Sequence, residues 1–472
     1  MAPTSRKYET IVESTPVIDP EAMHRLTPEM ARLAESILAA VLQRQEQETW
    51  PLGETRAPED LIARAGQTVT ADGLGAEQVL RLWQEHLQPA NVAVDHPGYL
   101  AFIPHAPTVA AIVFDILVSG QAIYAGSWLE ASGATYAENQ ALRWLADLAG
   151  YPADAGGTFV QGGTLGNLSA LHTARTSALR RREGQRPGRW QVAASAEAHS
   201  SINQAARVLD IDVLDVPVNA EYRLTAEGLR QAIADGGHDG LFAVVASAGA
   251  TNLGVVDDLT GVAEVCREHG LWLHIDGAYG LAALASPQRR ALFTGIEQSD
   301  SFIVDPHKWL FAGYDSCALV YRDPVQARAA HSQSASYLDA LNARNEWNPS
   351  DYAVQLSRRA RGLPFWFSLA AHGADAYAAA VEAAFTLTAQ TVAAIKARQN
   401  LELAAEPDLT AIVFRRHGWD SEAYDRWAAD LLAAGAAFVM PTRFRGEPAA
   451  RLVLLNPRTT FADVERVLAA MA

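Results

Sequence analysis

The chain has 472 residues, more than one ordinary hydrophobic core accommodates, so two domains and a terminal extension are expected. Its net charge of −16 excludes a nucleic-acid binder relying on clustered lysine and arginine. Its 2 cysteines, Cys266 and Cys317, form no CxxC pair, which argues against a zinc centre or a disulfide framework and for a reducing compartment.

The N-terminal stretch MAPTSRKYETIVESTPVIDPE lacks the apolar core of a signal peptide. No run approaches the roughly 18 apolar residues of a membrane span. The expectation is a soluble cytoplasmic protein with no membrane or nucleic-acid partner and no metal. The first 90 or so residues read as helical, since PEMARLAESILAAVLQRQEQE spaces its apolar residues by three and four. A second helical stretch, TVAAIVFDILVSG, follows, closed by glycine and serine.

The pattern then changes. Short β-rich runs alternate with helical segments: TFVQ and a helix from Leu165; WQVAA and a helix from about Ser200; DVLDVPV and a helix from Thr225; LFAVVAS and a helix after Asp258. LWLHID, SFIVD and CALVYR complete seven strands. Such alternation predicts βαβ units in a mostly parallel seven-stranded sheet with helices on both faces. The last 100 or so residues hold a long helix and further strand–helix alternation. The expected division is a helical N-terminal segment over 1–95, a large α/β domain over 96–370 and a small α+β domain over 371–472.

Parallel sheets bind ligands beyond the carboxyl ends of their strands. The polar residues following the runs above therefore define one candidate site. In QGGTLGNLSALHTAR, Gly163 and Thr164 join a strand to a helix. They form either a plain glycine-rich turn or a cradle in which free helix N–H groups meet a phosphate. Asp276 ends the apolar strand of LWLHID. It either caps the chain locally or pairs with a buried positive nitrogen, because a carboxylate in apolar surroundings is costly without a cation. Lys308, in SFIVDPHKWL, is either a solvated lysine or an amine whose pKa desolvation lowers, suited to a Schiff base. His199, in SAEAHSSI, is a structural histidine or a flat ring able to stack on a ligand. A phosphate cradle, an acid for a ring nitrogen and an amine for an aldehyde together describe pyridoxal 5′-phosphate.

The motifs HPGYLAFIP, AHSS, WLHIDGAYG and DPHKWL resemble those of the group II pyridoxal-dependent decarboxylases, the aromatic-L-amino-acid, histidine and glutamate decarboxylases. The resemblance runs over about residues 90–375. It implies a type I, aspartate-aminotransferase-like fold and a homodimer with sites at the subunit interface. It implies that Lys308 bonds to the cofactor, Asp276 meets the pyridine nitrogen and His199 stacks on the ring. Gly163 and Thr164, with His307, would hold the phosphate, Ala278 would pack on the other ring face, and Thr251 would lie near a ring substituent. Asp305 stands where the aromatic decarboxylases commonly have asparagine, and a second anion there would repel the phosphate. Tyr337 matches the tyrosine that protonates the substrate carbon, with Tyr352 as the alternative. Phe102, Ile103 and Pro104 correspond to the substrate pocket, and Tyr124 would come from the neighbouring subunit. His105 either pairs with a polar substrate group or forms the wall. Arg358 or Arg359 would steady the loop or the substrate carboxylate. The implied reaction converts an L-amino acid to its amine and carbon dioxide. An aromatic substrate is expected first, and glutamate, aspartate or a diamino acid second. Oxidative deamination, aldol cleavage and transamination are the rival reactions of the same fold, and a non-catalytic pyridoxal-binding protein is the rival class.

Overall fold

The computed structural model describes residues 21–48, 50–237, 239–333 and 346–472. The described residues form two compact units, one from 21–48, 50 and 55–91 and the other from 51–54 and the described residues from 92 onwards. In the first, Pro28–Glu46 begins at Thr27, whose hydroxyl accepts the Met30 N–H, and places proline in its first turn, where the missing N–H costs nothing. None of this helix's residues is buried, and Ile37, Leu38 and Leu42 are exposed.

The second unit contains the seven expected strands: β1 (Gly156–Val160), β2 (Gln191–Ser195), β3 (Asp212–Val216), β4 (Leu241–Ser247), β5 (Trp272–Asp276), β6 (Ser301–Val304) and β7 (Cys317–Tyr321). Their order is β1-β7-β6-β5-β4-β2-β3, and only β7 runs antiparallel to its neighbours. This is the mostly parallel sheet of the type I fold. Every residue of β1, β2, β6 and β7 is buried, as continuous apolar runs covered on both faces require. Hydroxyl and carboxylate caps start the crossover helices: Thr225 accepts the Gly228 N–H before Ala226–Gly236, and Asp258 accepts the Gly261 N–H before Leu259–His269. Gly270, at φ 65°, ends the latter helix in a left-handed turn that glycine adopts without strain.

A four-stranded antiparallel sheet, in the order Met440–Phe444, Glu447–Val453, Ala411–Arg416, Leu401–Leu403, forms the C-terminal part. Its main helix, Ala374–Lys396, is long and apolar enough to cross a membrane by length and composition, which the sequence reading overlooked. Here Val381, Phe385, Leu387 and Ile395 are buried, so the apolar stripe packs into protein. The large and small sheets are joined by Arg223, whose guanidinium donates to both oxygens of Asp408, while Asp408 also accepts the Val256 N–H.

Candidate active site

The carboxyl ends of β1, β2, β4, β5 and β6 open into one cavity of about 430 Å³, within the size range of small-molecule sites. The turn after β1 supplies Gly162, Gly163 and Thr164; the turn after β2 supplies His199; the turn after β4 supplies Gly249, Ala250 and Thr251. Asp276 and Ala278 come from the end of β5, and Asp305, His307 and Lys308 from the segment after β6. Phe102, Ile103, Asn167, Ser247, Tyr279 and Tyr314 also line it, with Arg451, which projects from the small sheet.

Gly163 opens the helix Gly163–Arg181. A Cβ there would lie 3.1 Å from Ile303 Cδ1 and 3.3 Å from Ala278 Cβ, so the turn packs tightly against β6 and a side chain would need its neighbours to give way. The helix N-terminus faces the cavity with N–H groups that the helix does not use, a natural seat for an anion. Asp276 accepts the Ala278 N–H at 3.2 Å on Oδ1 and the Asn167 amide at 2.9 Å on Oδ2. His199 Nδ1 lies 2.8 Å from Ser201 Oγ. His307 Nδ1 accepts the Ser316 N–H at 3.0 Å, which leaves the hydrogen of a neutral ring on Nε2, 3.5 Å from Asp305.

Lys308 Nζ lies 2.8 Å from Asp305 Oδ2. Burial alone pulls the amine's pKa down, yet the Asp305 carboxylate, helped by Asp276, outweighs it and holds the amine above the ordinary lysine value. The sequence expectation of a depressed amine is thus reversed in the free protein. Burial likewise pushes Asp305 up, and Lys308 and His307 more than compensate, holding it below the ordinary carboxylate range. Asp305 therefore serves the lysine. Asp305→Asn leaves burial acting on the amine without its counter-ion, so the Lys308 pKa should fall. Uptake of pyridoxal phosphate by the apoprotein, followed by absorbance, should then accelerate near neutral pH, with its pH–rate profile displaced downwards. An undisplaced profile in a folded variant would contradict the pairing.

Several expected site residues lie elsewhere. Arg358 is buried and does not line the cavity; its two-pronged pair with Glu138 at 2.7 and 2.9 Å leaves it unavailable to a substrate carboxylate. Its neighbour Arg359 pairs with Asp115 at 2.5 Å. His105 is also buried, its Nδ1 2.6 Å from the His307 carbonyl and its ring stacked on Tyr314 with centroids 4.3 Å apart. Burial lowers its pKa to about 4, so it is a neutral wall residue behind the cavity lining. Tyr352 is buried and stacked on Trp347 at 4.2 Å, which removes it as the alternative proton donor. Tyr124 does not line the cavity of its own chain, and its hydroxyl donates to the Leu356 carbonyl at 3.4 Å. Tyr337 lies outside the described residues.

Arg451 was missed in the sequence. Its guanidinium donates to the carbonyls of Phe102 at 2.8 Å, Thr251 at 2.6 Å and Asn252 at 3.1 Å, and burial lowers its pKa to about 10. The available signal was a single arginine inside the apolar run AARLVLL.

An amine, an ionisable acid across the cavity, a glycine-lined helix N-terminus and a flat imidazole suit an aldehyde-bearing phosphorylated pyridine. Fold and site together define the pyridoxal-phosphate class of enzymes.

Residues 58–417 match the family model of the pyridoxal-dependent decarboxylase conserved domain, and the chain belongs to that family. It is a pyridoxal-phosphate-dependent amino acid decarboxylase, a carboxy-lyase. It is similar to an aromatic-L-amino-acid decarboxylase of Bacillus atrophaeus, with 28% identity over 432 residues that cover 89% of each chain. It is also similar to an L-2,4-diaminobutyrate decarboxylase of Rhizobium meliloti (strain 1021), with 32% identity over 397 residues covering 80% of this chain and 78% of the relative. The fold matches that of Oryza sativa TDC with PLP and tryptamine at a TM-score of 0.86 and 23% identity, covering 97% of this chain and 99% of the other.

Proposed function

We propose that the enzyme decarboxylates an aromatic L-amino acid, using Lys308, Asp276 and His199 as its catalytic residues with Tyr337 as the proton donor. The convergence of the Lys308 amine and the Asp276 carboxylate on one cavity beyond the strand ends carries this reading. Bound pyridoxal phosphate supplies the electron sink for the pair released from the Cα–carboxylate bond. Lys308 would hold the cofactor's aldehyde carbon through its amine. Asp276, facing the cavity, would hold a proton on the ring nitrogen. Gly163, Thr164 and His307 would hold the phosphate, and His199, Ala278 and Thr251 would contact the ring. Tyr337 returns a proton to Cα.

Phe102 and Tyr314, both largely exposed at the cavity mouth beside Ile103, favour an aromatic side chain. Arg451 favours a second reading, an acidic side chain, because a buried guanidinium held by neutral carbonyls suits a carboxylate. A likeness to diaminobutyrate decarboxylases keeps a diamino acid in the same comparison. We further propose a cytoplasmic homodimer with shared sites. An open groove lined by Gln161, Leu165, Leu168, Val208 and Val354 adjoins the cavity through Gly162 and Thr164, and Val208 and Val354 are exposed.

Carbon dioxide release from the twenty standard amino acids, dopa and 2,4-diaminobutyrate tests the substrate. The largest kcat/KM should fall on an aromatic amino acid, and preference for aspartate or glutamate would move the assignment to the second reading. In sedimentation the same preparation should run at twice the chain mass, and an active monomer would remove the shared site.

A further inference from the structure

We infer that Asn167 is a positioning residue that fixes the hydrogen arrangement of both ring-facing groups, Asp276 and His199, through one unidirectional set of buried hydrogen bonds. The inference rests on the assignment of those two groups to the cofactor ring. Asn167 stands on the second turn of Gly163–Arg181 and is almost wholly buried. Its Nδ2 lies 2.9 Å from Asp276 Oδ2 and 2.9 Å from Ser201 Oγ, and its Oδ1 lies 2.9 Å from His274 Nε2.

A primary amide has two N–H donors on one side and an acceptor on the other. Asp276 accepts the Ala278 N–H on Oδ1 and the Asn167 amide N–H on Oδ2, whereas the reversed amide would set oxygen against oxygen. Asn167 Oδ1 then demands the hydrogen of His274 on Nε2. Burial lowers the His274 pKa to about 4, so its ring is neutral and Nδ1 is an acceptor, met by the Ser301 hydroxyl at 2.9 Å. The Ser301 oxygen in turn accepts the indole N–H of Trp272 at 2.9 Å, a group that can only donate. Both ends of this branch therefore have a fixed polarity, and the polarity agrees along its whole length.

The second amide N–H enters Ser201 Oγ, so the Ser201 hydroxyl hydrogen turns to His199 Nδ1, 2.8 Å away. The Ser201 N–H points at the same nitrogen from 3.2 Å. Two donors on Nδ1 place the hydrogen of a neutral His199 on Nε2. One side chain thus keeps a donor on the acid that meets the ring nitrogen and selects the tautomer of the imidazole over the ring.

Neutron diffraction from deuterated holoenzyme crystals reads this arrangement directly. The expected map has deuterium on Nε2 of both His199 and His274 and the Asn167 ND2 group towards Asp276. Deuterium on Nδ1 of either histidine would overturn the inference. The same map distinguishes this failure from a failure of the site assignment, which would show the cofactor away from Lys308. A second measurement uses Asn167→Leu, checked for folding by circular dichroism. Loss of a hydrogen bond to a charged group should weaken cofactor retention, followed by absorbance during dialysis, by about 10- to 100-fold. Unchanged retention in the folded variant would count against the inference, and if the variant does not fold the neutron map alone decides.

Discussion

Lys308→Ala should yield a folded protein that has lost both the visible absorbance of the bound cofactor and amine formation. The two losses should coincide, because the amine that fixes the cofactor is the one the substrate displaces. Asp276→Asn should behave differently. It preserves shape and the Asn167 contact region but removes the charge that holds a proton on the ring nitrogen. Breaking one partner of a buried charged pair costs about 3–5 kcal/mol. If that cost falls mainly on the charge that develops in the transition state, kcat should drop by roughly 10²–10³-fold or more. Colour would be retained, since Lys308 remains. Measuring kcat and the absorbance spectrum of each variant separates the roles: a colourless Asp276→Asn protein, or a Lys308→Ala protein still making amine, would refute the assignment.

Arg358→Met should destabilise the fold strongly while leaving the KM of whatever activity survives near its original value. The Arg358 side chain is 0% exposed and that of Glu138 is 2% exposed, and Glu138 also accepts the Gly362 N–H at 2.7 Å. Removing the arginine leaves a buried carboxylate without its cation, at a cost of about 3–5 kcal/mol. Arg358→Met combined with Glu138→Leu should recover part of that loss, because an apolar pair of similar volume carries no uncompensated charge. Urea midpoints for the single and double variants test this. A stable Arg358→Met protein with a sharply raised KM would instead return the arginine to substrate binding.

The strand ends were legible in the sequence because a parallel sheet sends its binding residues to one edge. His199, Asp276 and Lys308 could be grouped without knowing a single distance. What distant segments contribute was hidden. Glu138 lies 220 residues before Arg358, so an arginine next to a functional loop read as a substrate contact when its charge was already spent. Arg451 reaches the cavity from another sheet, and only its isolation among apolar neighbours hinted at it. The Asp305–Lys308 pair is local in sequence, yet it depends on how the turn after β6 folds, which apolar patterning does not encode. His105 shows the same limit: beside two pocket residues in sequence, it lies one layer further back because its ring is tied to the His307 carbonyl.

The sequence contains three lysines, Lys7, Lys308 and Lys396, and Lys396 pairs with Glu406 on the surface. Borohydride reduction of the holoenzyme followed by peptide mass spectrometry therefore has few places to report. The cofactor mass is expected on the peptide containing Lys308, and its appearance on either other lysine, or on none, would contradict the central claim.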